Sequence, residues 1–389
     1  MTDVATASTG LKGREAGLEL ARHIRADLNG DAPDAIVVFA SSDNDYEGLL
    51  AALKSESGAT LMVGCSSAGE FTGDSVGTDR TSAMALRAPE MHFNGAIAEN
   101  LTADRGHAAR DLVGGFKGLE TSEFRYRTAL VFVDALAGHG EDLVEELTVA
   151  TGGMYQFVGG GAGDNANFKQ THVFLNDKAY TNAAVALEIL SNKPVGIGAR
   201  HGWSTSSPAL RVTDSVDARV LSMNVAPALE AFDDHAEATQ QQFDHDDPLP
   251  FFLHNVVGVE TEGGYKLRVP LGIADEGSVV FAAEVPVGAK ASVMTTGLTS
   301  AAEAAGAATR DAVEQVTRGG STPKAALFFD CVATRLRLGT EFGKELDAVA
   351  KELGTAPFAG YNTYGQIVRA DGQFSGFHNC TAVVCVFPE

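Results

Sequence analysis

A short glycine-rich turn, Gly159–Asp164, is the first place where this chain could bind a ligand, because such turns hold phosphates in nucleotide-binding proteins. No Gly-Lys-Ser/Thr follows it, and Asp164 stands where a dinucleotide fingerprint needs its last Gly. A carboxylate in that place would repel a phosphate. We therefore expect Gly159 and Gly161 to let the backbone come close to a small ligand or a neighbouring strand, with Asp164 beside them.

A second small-residue turn, Gly64–Gly69, lies after an apolar run but lacks the GxSxG spacing of a nucleophile elbow. No Ser/His/Asp set, paired-carboxylate motif or metal-ligand spacing can be assembled elsewhere. Cys380 and Cys385 lie in one predicted strand and face opposite sides of it, so they cannot easily share a metal. The sequence therefore predicts no catalytic residues and no metal site, and an uncharacterised enzyme is only a third interpretation.

Aromatic and polar side chains near two strand ends are further candidates for ligand contacts. His201 and Trp203, the single Trp of the chain, follow an apolar strand, while His378 and Asn379 precede the last one. Such groups orient small ligands at binding sites. The alternative is structural: a hydrogen-bonded histidine, a buried tryptophan and polar strand caps.

Composition excludes several kinds of partner. The formal net charge of −22 over 389 residues argues against nucleic acid and against anionic membranes. No apolar run approaches the roughly 20 residues of a membrane span, and the four cysteines form no CxxC motif. We expect a cytoplasmic, acidic protein with reduced cysteines.

A pattern of apolar strand, amphipathic helix, apolar strand and Gly-rich turn occurs three times. The strands and turns read Ala35–Ala40 and Thr60–Glu70, Ala129–Asp134 and Gln156–Asp164, and Ala325–Cys331 and Pro357–Gln366. A helix between two short apolar runs favours a parallel strand pair, and alternating segments between the copies suit antiparallel strands. The predicted class is α+β, with layered mixed sheets, three recurring strand–helix–strand units and two regions.

The polar, acidic segment 233–249 marks the predicted boundary between the two regions. The organisation expected is an N-terminal helix over residues 1–30, an N-terminal region over 31–232, an acidic linker over 233–249 and a C-terminal region over 250–389.

Together these motifs resemble the FIST family over nearly the whole chain after residue 30. The N-terminal part carries Val63–Glu70, Val158–Asp164 followed by Phe168, His201–Trp203, Val212–Thr213 and Ala226–Leu229; the C-terminal part carries Pro270–Ile273, Asp330–Arg335, Gly360–Ile367 and His378–Thr381. The order and spacing of these segments carry the resemblance. It implies a FIST N-terminal region over 31–232 and a FIST C-terminal region over 250–389.

The resemblance implies a non-catalytic sensory protein of intracellular signal transduction that binds a small ligand such as an amino acid or organic acid. No cofactor is then expected, and a separate signalling protein would carry the output. Some relatives resemble haem-dependent nitric oxide sensors, so haem held by His201 or His378 is the alternative. Gln366 stands where the family usually has Glu, which removes a carboxylate that could pair with a ligand ammonium.

The candidate binding side chains concentrate in the C-terminal motif turns. Arg335, Tyr364, Gln366 and Asn379 belong to such turns, where loops on a rigid scaffold tend to carry binding groups. An Arg fork suits a carboxylate. Ligand sites favour domain interfaces, so we predict one cleft between the regions, with Gly159–Asp164 approaching the 361–366 turn.

Overall fold

The computed structural model describes residues 2–297, 299–372 and 375–389. Within them the chain forms three units built on one plan, and a fourth, inserted sheet. Each unit runs strand, helix, strand, helix, strand, hairpin, strand.

Unit 1 contains the first predicted strand–helix–strand segment. Its elements are β1 (Asp3–Thr9), α1 (Gly13–Asp27), β2 (Ala35–Ser41), α2 (Tyr46–Ser57), β3 (Leu61–Ser67), β4 (Glu70–Thr72), β5 (Ser75–Gly77) and β6 (Thr81–Arg87). Asp45 caps α2 by accepting from Gly48 N, and Gly58 ends that helix in the left-handed region.

The prediction of one helix over residues 1–30 is wrong for its first part. Residues 3–9 form β1, paired antiparallel with β6 from Asp3 opposite Arg87 to Thr9 opposite Thr81. Ala5, Ala7 and Thr9 alternate inward along β1, but a run of Ala and Thr has no strong preference for helix or strand by itself. Pairing with β6 decides the outcome.

Unit 2 repeats the plan. It comprises β7 (Met91–Glu99), α3 (Arg105–Gly114), β8 (Tyr126–Val133), a single 3-10 turn at Ala135–Ala137, α4 (Gly140–Ala150), β9 (Gln156–Gly161), β10 (Val173–Leu175), β11 (Lys178–Tyr180) and β12 (Ala183–Ser191). Asp104 caps α3 by accepting from His107 N.

Unit 3 starts at β13 (Gly196–Arg200) and is interrupted there by the insertion, residues 203–296. The insertion comprises β14 (Trp203–Thr205), β15 (Leu210–Val216), β16 (Arg219–Met223), β17 (Ala226–Pro227), α5 (Glu230–Thr239), α6 (Leu249–Phe252), β18 (Val256–Thr261), β19 (Gly264–Arg268), β20 (Pro270–Ala274), β21 (Ser278–Phe281) and β22 (Lys290–Thr296). These strands form one nine-stranded sheet.

After the insertion unit 3 resumes with its helices and remaining strands. These are α7 (Ser300–Arg318), β23 (Pro323–Cys331), α8 (Val332–Leu338), α9 (Gly343–Leu353), β24 (Phe358–Thr363), β25 (Gln366–Arg369), β26 (Gly376–His378) and β27 (Ala382–Pro388).

Each unit completes its six-stranded sheet with a hairpin taken from another unit. The strand orders are β1-β6-β2-β3-β10-β11, β7-β12-β8-β9-β25-β26 and β13-β27-β23-β24-β4-β5. The hairpin after β3 therefore joins the sheet of unit 3, the hairpin after β9 that of unit 1, and the hairpin after β24 that of unit 2. The exchange is cyclic, so the three sheets form one body.

The predicted equivalence of the three repeats is confirmed by the register of their parallel strand pairs. Gly64 lies opposite Val38, Gly159 opposite Val131, and Gly360 opposite Phe328; these pairs belong to β2–β3, β8–β9 and β23–β24. A Cβ on the three glycines would lie 1.8, 2.1 and 1.9 Å from the carbonyl oxygen of the opposite residue. Only glycine fits at this point of the plan.

Three equivalent phenylalanines meet where the sheets converge. Phe39, Phe132 and Phe329 each follow the residue that lies opposite the glycine of their unit. Their ring centroids are 5.6, 6.2 and 6.1 Å apart in edge-to-face pairs. Such aromatic contacts stabilise a core beyond simple burial. The α+β class with mixed sheets and three repeated units is confirmed, and its core sits between the three sheets.

The predicted boundary segment 233–249 lies within the insertion. Its beginning is helical, since α5 extends to Thr239, and strands from both sides of it share one sheet, because β15 pairs with β22. The topology thus groups residues 203–296 together. No helix within the described residues is long and apolar enough to cross a membrane.

Candidate functional site

A cavity of about 210 Å³ lies at the carboxyl ends of the parallel strands of units 2 and 3, where α/β proteins commonly bind ligands. Unit 2, unit 3 and the insertion each supply part of its wall. The lining residues are Ala135, Leu136, Phe168, Val269, Leu271, Phe281, Ala282, Cys331, Val332, Ala333, Tyr364 and Asn379. Most of this wall is apolar.

Two Gly-rich turns meet beside the cavity, as the sequence predicts. β9 pairs antiparallel with β25, with Gly160 opposite Gln366. Gly161 N donates to Gly365 O at 2.8 Å, and Tyr364 N donates to Gly161 O at 3.1 Å. The predicted approach of Gly159–Asp164 to the 361–366 turn is confirmed. Gly159 and Gly161 therefore have a structural role here, because they lie in the paired backbones of β9 and β25.

Tyr364 forms one side of the cavity. Its ring stacks on Phe168 with centroids 4.7 Å apart, and its hydroxyl donates to Asp164 Oδ1. Burial and this bond to a carboxylate raise the pKa of Tyr364. The hydroxyl therefore stays protonated and committed to Asp164.

Asp164 organises the loop that carries Phe168. Its carboxylate accepts from the backbone N–H groups of Phe168 at 2.8 Å, Lys169 at 2.7 Å and Gln170 at 3.0 Å. With Tyr364 it has four donors, so its acceptor sites are occupied. Asp164 positions the cavity wall and does not face the cavity itself.

Asn379 is a buried polar residue of the cavity wall. The side chain is 1 % exposed, and its Nδ2 donates to His378 O at 3.3 Å. Its Oδ1 has no hydrogen-bond partner among the described residues. A buried carbonyl without a donor is costly, so Asn379 Oδ1 is set to accept from a ligand.

Gln366 is fully buried and bonds three backbone groups behind the cavity. With its amide oriented to satisfy its neighbours, the oxygen accepts from Cys331 N at 3.2 Å, while the nitrogen donates to His378 O at 3.2 Å and Thr381 O at 3.3 Å. A carboxylate could not donate to those two carbonyls. Gln366 therefore holds β23 against the turn between β26 and β27, and it does not line the cavity.

Arg335 does not line the cavity. Its Nε would be 3.1 Å from a Cβ built on Gly69, and Asn362 Oδ1 faces the same glycine. Burial lowers the pKa of Arg335, and the nearby Glu70 and Tyr364 oppose this. Burial in turn raises the pKa of Glu70 to about 7. Arg335 therefore lies near Tyr364 but behind the wall, and its predicted contact with a ligand carboxylate stays a prediction.

His201 and Trp203 lie in a second, separate enclosure of about 10 Å³, which has room for about one water molecule. His201 Nδ1 accepts from Trp203 N at 3.3 Å, and the Arg337 guanidinium sits 5.4 Å from the Trp203 ring centre. Burial lowers the pKa of His201. His201 and Trp203 lie together, as predicted, but neither residue lines the larger cavity.

His378 lies in β26 and is 1 % exposed, with its residue paired opposite Gln366. Neither His378 nor His201 lines the 210 Å³ cavity. No observation on the described residues therefore favours the haem interpretation over binding of a smaller ligand.

Several wall residues escaped the sequence analysis. Ala135 lies two residues after β8, Cys331 is the last residue of β23, and Val332 and Ala333 follow it. The rule that ligands bind at carboxyl strand ends would have found them. Val269, Leu271, Phe281 and Ala282 belong to the insertion, and no local signal in the sequence shows that this sheet folds over the strand ends.

Solved structures give only distant likenesses. The cyanuric acid hydrolase from A. caulinodans matches at 6 % identity over 100 % of both chains with a TM-score of 0.31. T. maritima PurL complexed with ATP matches at 11 % identity over 100 % of this chain and 71 % of that chain, with a TM-score of 0.22. TM-scores of this size carry no argument about fold or activity. No curated protein matches the chain.

Protein-family comparison gives a direct result. Residues 34–225 match the FIST N domain, and residues 228–369 match the FIST C domain. The two matches adjoin within the insertion and together cover most of the chain, including both Gly-rich turns that meet at the cavity. The chain belongs to the FIST family.

Proposed function

We propose that this protein is a sensory protein of signal transduction whose small ligand occupies the 210 Å³ cavity between unit 2, unit 3 and the insertion. FIST domains are associated with sensory signal transduction through small-ligand binding. The observation that carries the proposal is the apolar wall with one buried, unpaired acceptor, Asn379 Oδ1. Such a combination is typical of small-molecule sites.

The size of the cavity suits a ligand with one ring or one branched chain. An apolar cavity of about 150 Å³ holds benzene, and this one is about 210 Å³. Transfer of apolar groups from water into such a wall supplies roughly 0.8 kcal/mol for each buried CH₂. The apolar part of the ligand therefore provides most of the affinity.

The polar end of the ligand has to be a donor. Asn379 Oδ1 only accepts, and the Tyr364 hydroxyl is already bonded to Asp164. An ionised organic acid offers only acceptors, whereas an amino acid offers an ammonium group. Of the two ligand classes expected from the sequence, an amino acid with an apolar side chain fits this wall better.

Binding without turnover is part of the proposal. The polar side chains of the wall are Cys331, Tyr364 and Asn379, and among them no base is placed to activate a nucleophile. The output would pass to a separate signalling protein when the ligand draws the insertion against the two units.

The test is calorimetric titration with paired compounds: leucine, phenylalanine and methionine, each beside its analogue lacking the amino group. We expect saturable binding of at least one of these amino acids and at least tenfold weaker binding of its analogue. Ala282→Phe should abolish binding by filling the cavity, and Asn379→Leu should remove the preference for the amino group. Val149→Phe adds the same side chain at an exposed position of α4 and should bind normally.

Two outcomes would contradict the proposal. One is that none of the compounds binds; the other is that Ala282→Phe binds as well as Val149→Phe does. Chromatography of the titration mixture shows whether a bound compound has been hydrolysed or otherwise converted. Such conversion would contradict only the proposal that the protein binds its ligand without catalysis.

A further inference from the structure

Two of the four cysteines lie together, and one of them, Cys331, lines the cavity. Cys331 ends β23, and Cys380 lies in the turn between β26 and β27. β23 and β27 pair antiparallel with Phe329 opposite Val383, so their continuation brings Cys331 alongside residues 380 and 381. The sequence gives no hint of this, because 48 residues separate the two positions and no CxxC motif is present.

Cys331 and Cys380 belong to one cluster of packed, buried side chains. Hydrogen bonding from the Cys380 thiol and from the backbone at Cys380 and Ala333 favours the thiolate form of Cys331. These three donors stabilise negative charge on Cys331. They lower the pKa of Cys331 to about 7, while the same contact raises that of Cys380.

The backbone around the pair is held in place. Cys380 has a φ of 48°, a left-handed conformation that is uncommon for a residue with a side chain. The Gln366 amide bonds both Cys331 N and the carbonyls of His378 and Thr381, on either side of Cys380. Strained residues that the surroundings enforce are a feature of functional sites.

The other two cysteines lie inside strands. Cys65 and Cys385 belong to β3 and β27 and are fully buried, and burial raises the pKa of each. Cys331 instead forms part of the wall of the 210 Å³ cavity. A small neutral oxidant that enters the cavity can reach its sulfur.

We propose that Cys331 and Cys380 form a peroxide-reactive dithiol, with Cys331 as the attacking thiolate and Cys380 as the resolving thiol. This is a second activity of the cavity wall, and it does not require that the ligand proposed above binds.

The chemistry takes place in two balanced steps. Cys331, as the thiolate, attacks one oxygen of a hydroperoxide through its Sγ, and the O–O bond breaks. The leaving oxygen takes up from solvent the proton that the Cys331 thiol had released and departs as an alcohol, or as water from hydrogen peroxide, while Cys331 becomes a sulfenic acid. Cys380 Sγ then attacks the Cys331 sulfur, its proton and the sulfenic hydroxyl leave as water, and a disulfide forms. Two thiols are oxidised by two electrons, and one peroxide is reduced.

The test treats the full-length protein with hydrogen peroxide, quenches it with catalase, unfolds it and counts free thiols. We expect the native protein to fall from four thiols to two and to recover all four with a dithiol reductant. Cys385→Ser is the matched control and should fall from three thiols to one. Cys331→Ser and Cys380→Ser should form no internal disulfide, and Cys380→Ser should trap a sulfenic acid that reacts with dimedone.

Peptide mapping of the oxidised native protein by mass spectrometry keeps the test valid even where a Ser variant fails to fold. A disulfide-linked peptide pair containing Cys331 and Cys380 is expected. Retention of all four thiols after peroxide treatment, or a disulfide that contains Cys65 or Cys385, would overturn the proposal. The rate of thiol loss should rise as pH increases from 6 to 8, since the reactive form of Cys331 is the thiolate.

Discussion

Tyr364 and Asp164 are 200 residues apart in the sequence and share a buried hydrogen bond. The bond joins the Gly-rich turn of unit 2 to the Gly-rich turn of unit 3, on one side of the cavity. Its partners belong to different FIST domains, since Asp164 lies in the FIST N domain and Tyr364 in the FIST C domain. The site therefore depends on both domains.

Tyr364→Phe removes the hydroxyl and leaves the carboxylate with its three backbone donors. We expect a loss of about 2 kcal/mol in the free energy of unfolding, the usual magnitude for a hydrogen bond to a charged group. Urea unfolding followed by fluorescence measures it. Tyr126→Phe is the control, because the Tyr126 hydroxyl makes no hydrogen bond with the described residues; an equal loss in both variants would contradict the prediction.

Glycine substitutions test the repeated plan. Gly64→Ala, Gly159→Ala and Gly360→Ala each place a methyl group about 2 Å from a backbone oxygen of the paired strand, so each variant should fail to yield folded protein. Gly114→Ala, in α3, meets nothing within 4 Å and should be neutral or more stable by up to about 1 kcal/mol. Soluble yield and circular dichroism decide. One fully stable strand variant would show that the three units are not equivalent at this position.

A feature of the fold can be predicted from the sequence when the residues that determine it are close together in the chain. Apolar runs and amphipathic periods are local, so the three strand–helix–strand units follow from the sequence. The approach of Gly161 to Tyr364 also follows, from the expectation that ligand sites lie where two domains meet. By contrast, β1 reads as helix because its Ala and Thr residues depend on β6 for their conformation.

Side-chain direction is harder to predict than position along the chain. Tyr364 and Asn379 reach the cavity, but Arg335, on α8, turns toward Gly69 and Glu70, and Gln366 turns behind the wall. These side-chain directions depend on contacts with residues that are distant in the sequence. The part of the wall supplied by the insertion could not be predicted for the same reason, since its contacts join residues far apart in the chain.

Glu70 predicts a pH dependence. Its carboxylate is fully buried and accepts from Ser67 Oγ and from Arg80 N, and burial raises its pKa from 4.5 to about 7. Below pH 4.5 the group is protonated in both the folded and the unfolded chain. Between pH 4.5 and about 7 the unfolded chain releases the proton first, so the contribution of Glu70 to stability falls as the pH rises.

Glu70→Gln isolates this effect, because Gln cannot titrate and Gln366 already occupies the corresponding place in unit 3. The stability of Glu70→Gln relative to the native protein should increase from pH 5 to pH 7 and level off above that. Urea unfolding at four pH values measures it, with Glu237→Gln on the exposed side of α5 as the control. A difference that stays constant with pH would contradict the shifted pKa.

Arg268 anchors the insertion to unit 2. It is 4 % exposed, donates to Phe377 O at 3.0 Å and Glu284 O at 2.8 Å, and lies 3.3 Å from Glu141 Oε2. Arg268→Met leaves the two carbonyls without their donor, while Glu141 keeps its contacts with Lys266 and with Phe377 N. We therefore expect a loss of about 1–3 kcal/mol in the free energy of unfolding, the usual cost of an unsatisfied buried polar group. Chemical denaturation compares the variant with the native protein, and exposed Arg211→Met is the control expected to stay near native.

The cyclic exchange of hairpins makes the chain equivalent to a domain-swapped trimer tied into a single polypeptide. A fragment that carries only unit 2 keeps β10 and β11, which belong to the sheet of unit 1, and lacks β25 and β26, which close its own. It would expose the edge of β9 and an unpaired hairpin together. Such a fragment can donate its hairpin to one copy of itself and accept a hairpin from another, so it should self-assemble. Truncation at any unit boundary should therefore give oligomers instead of smaller monomers.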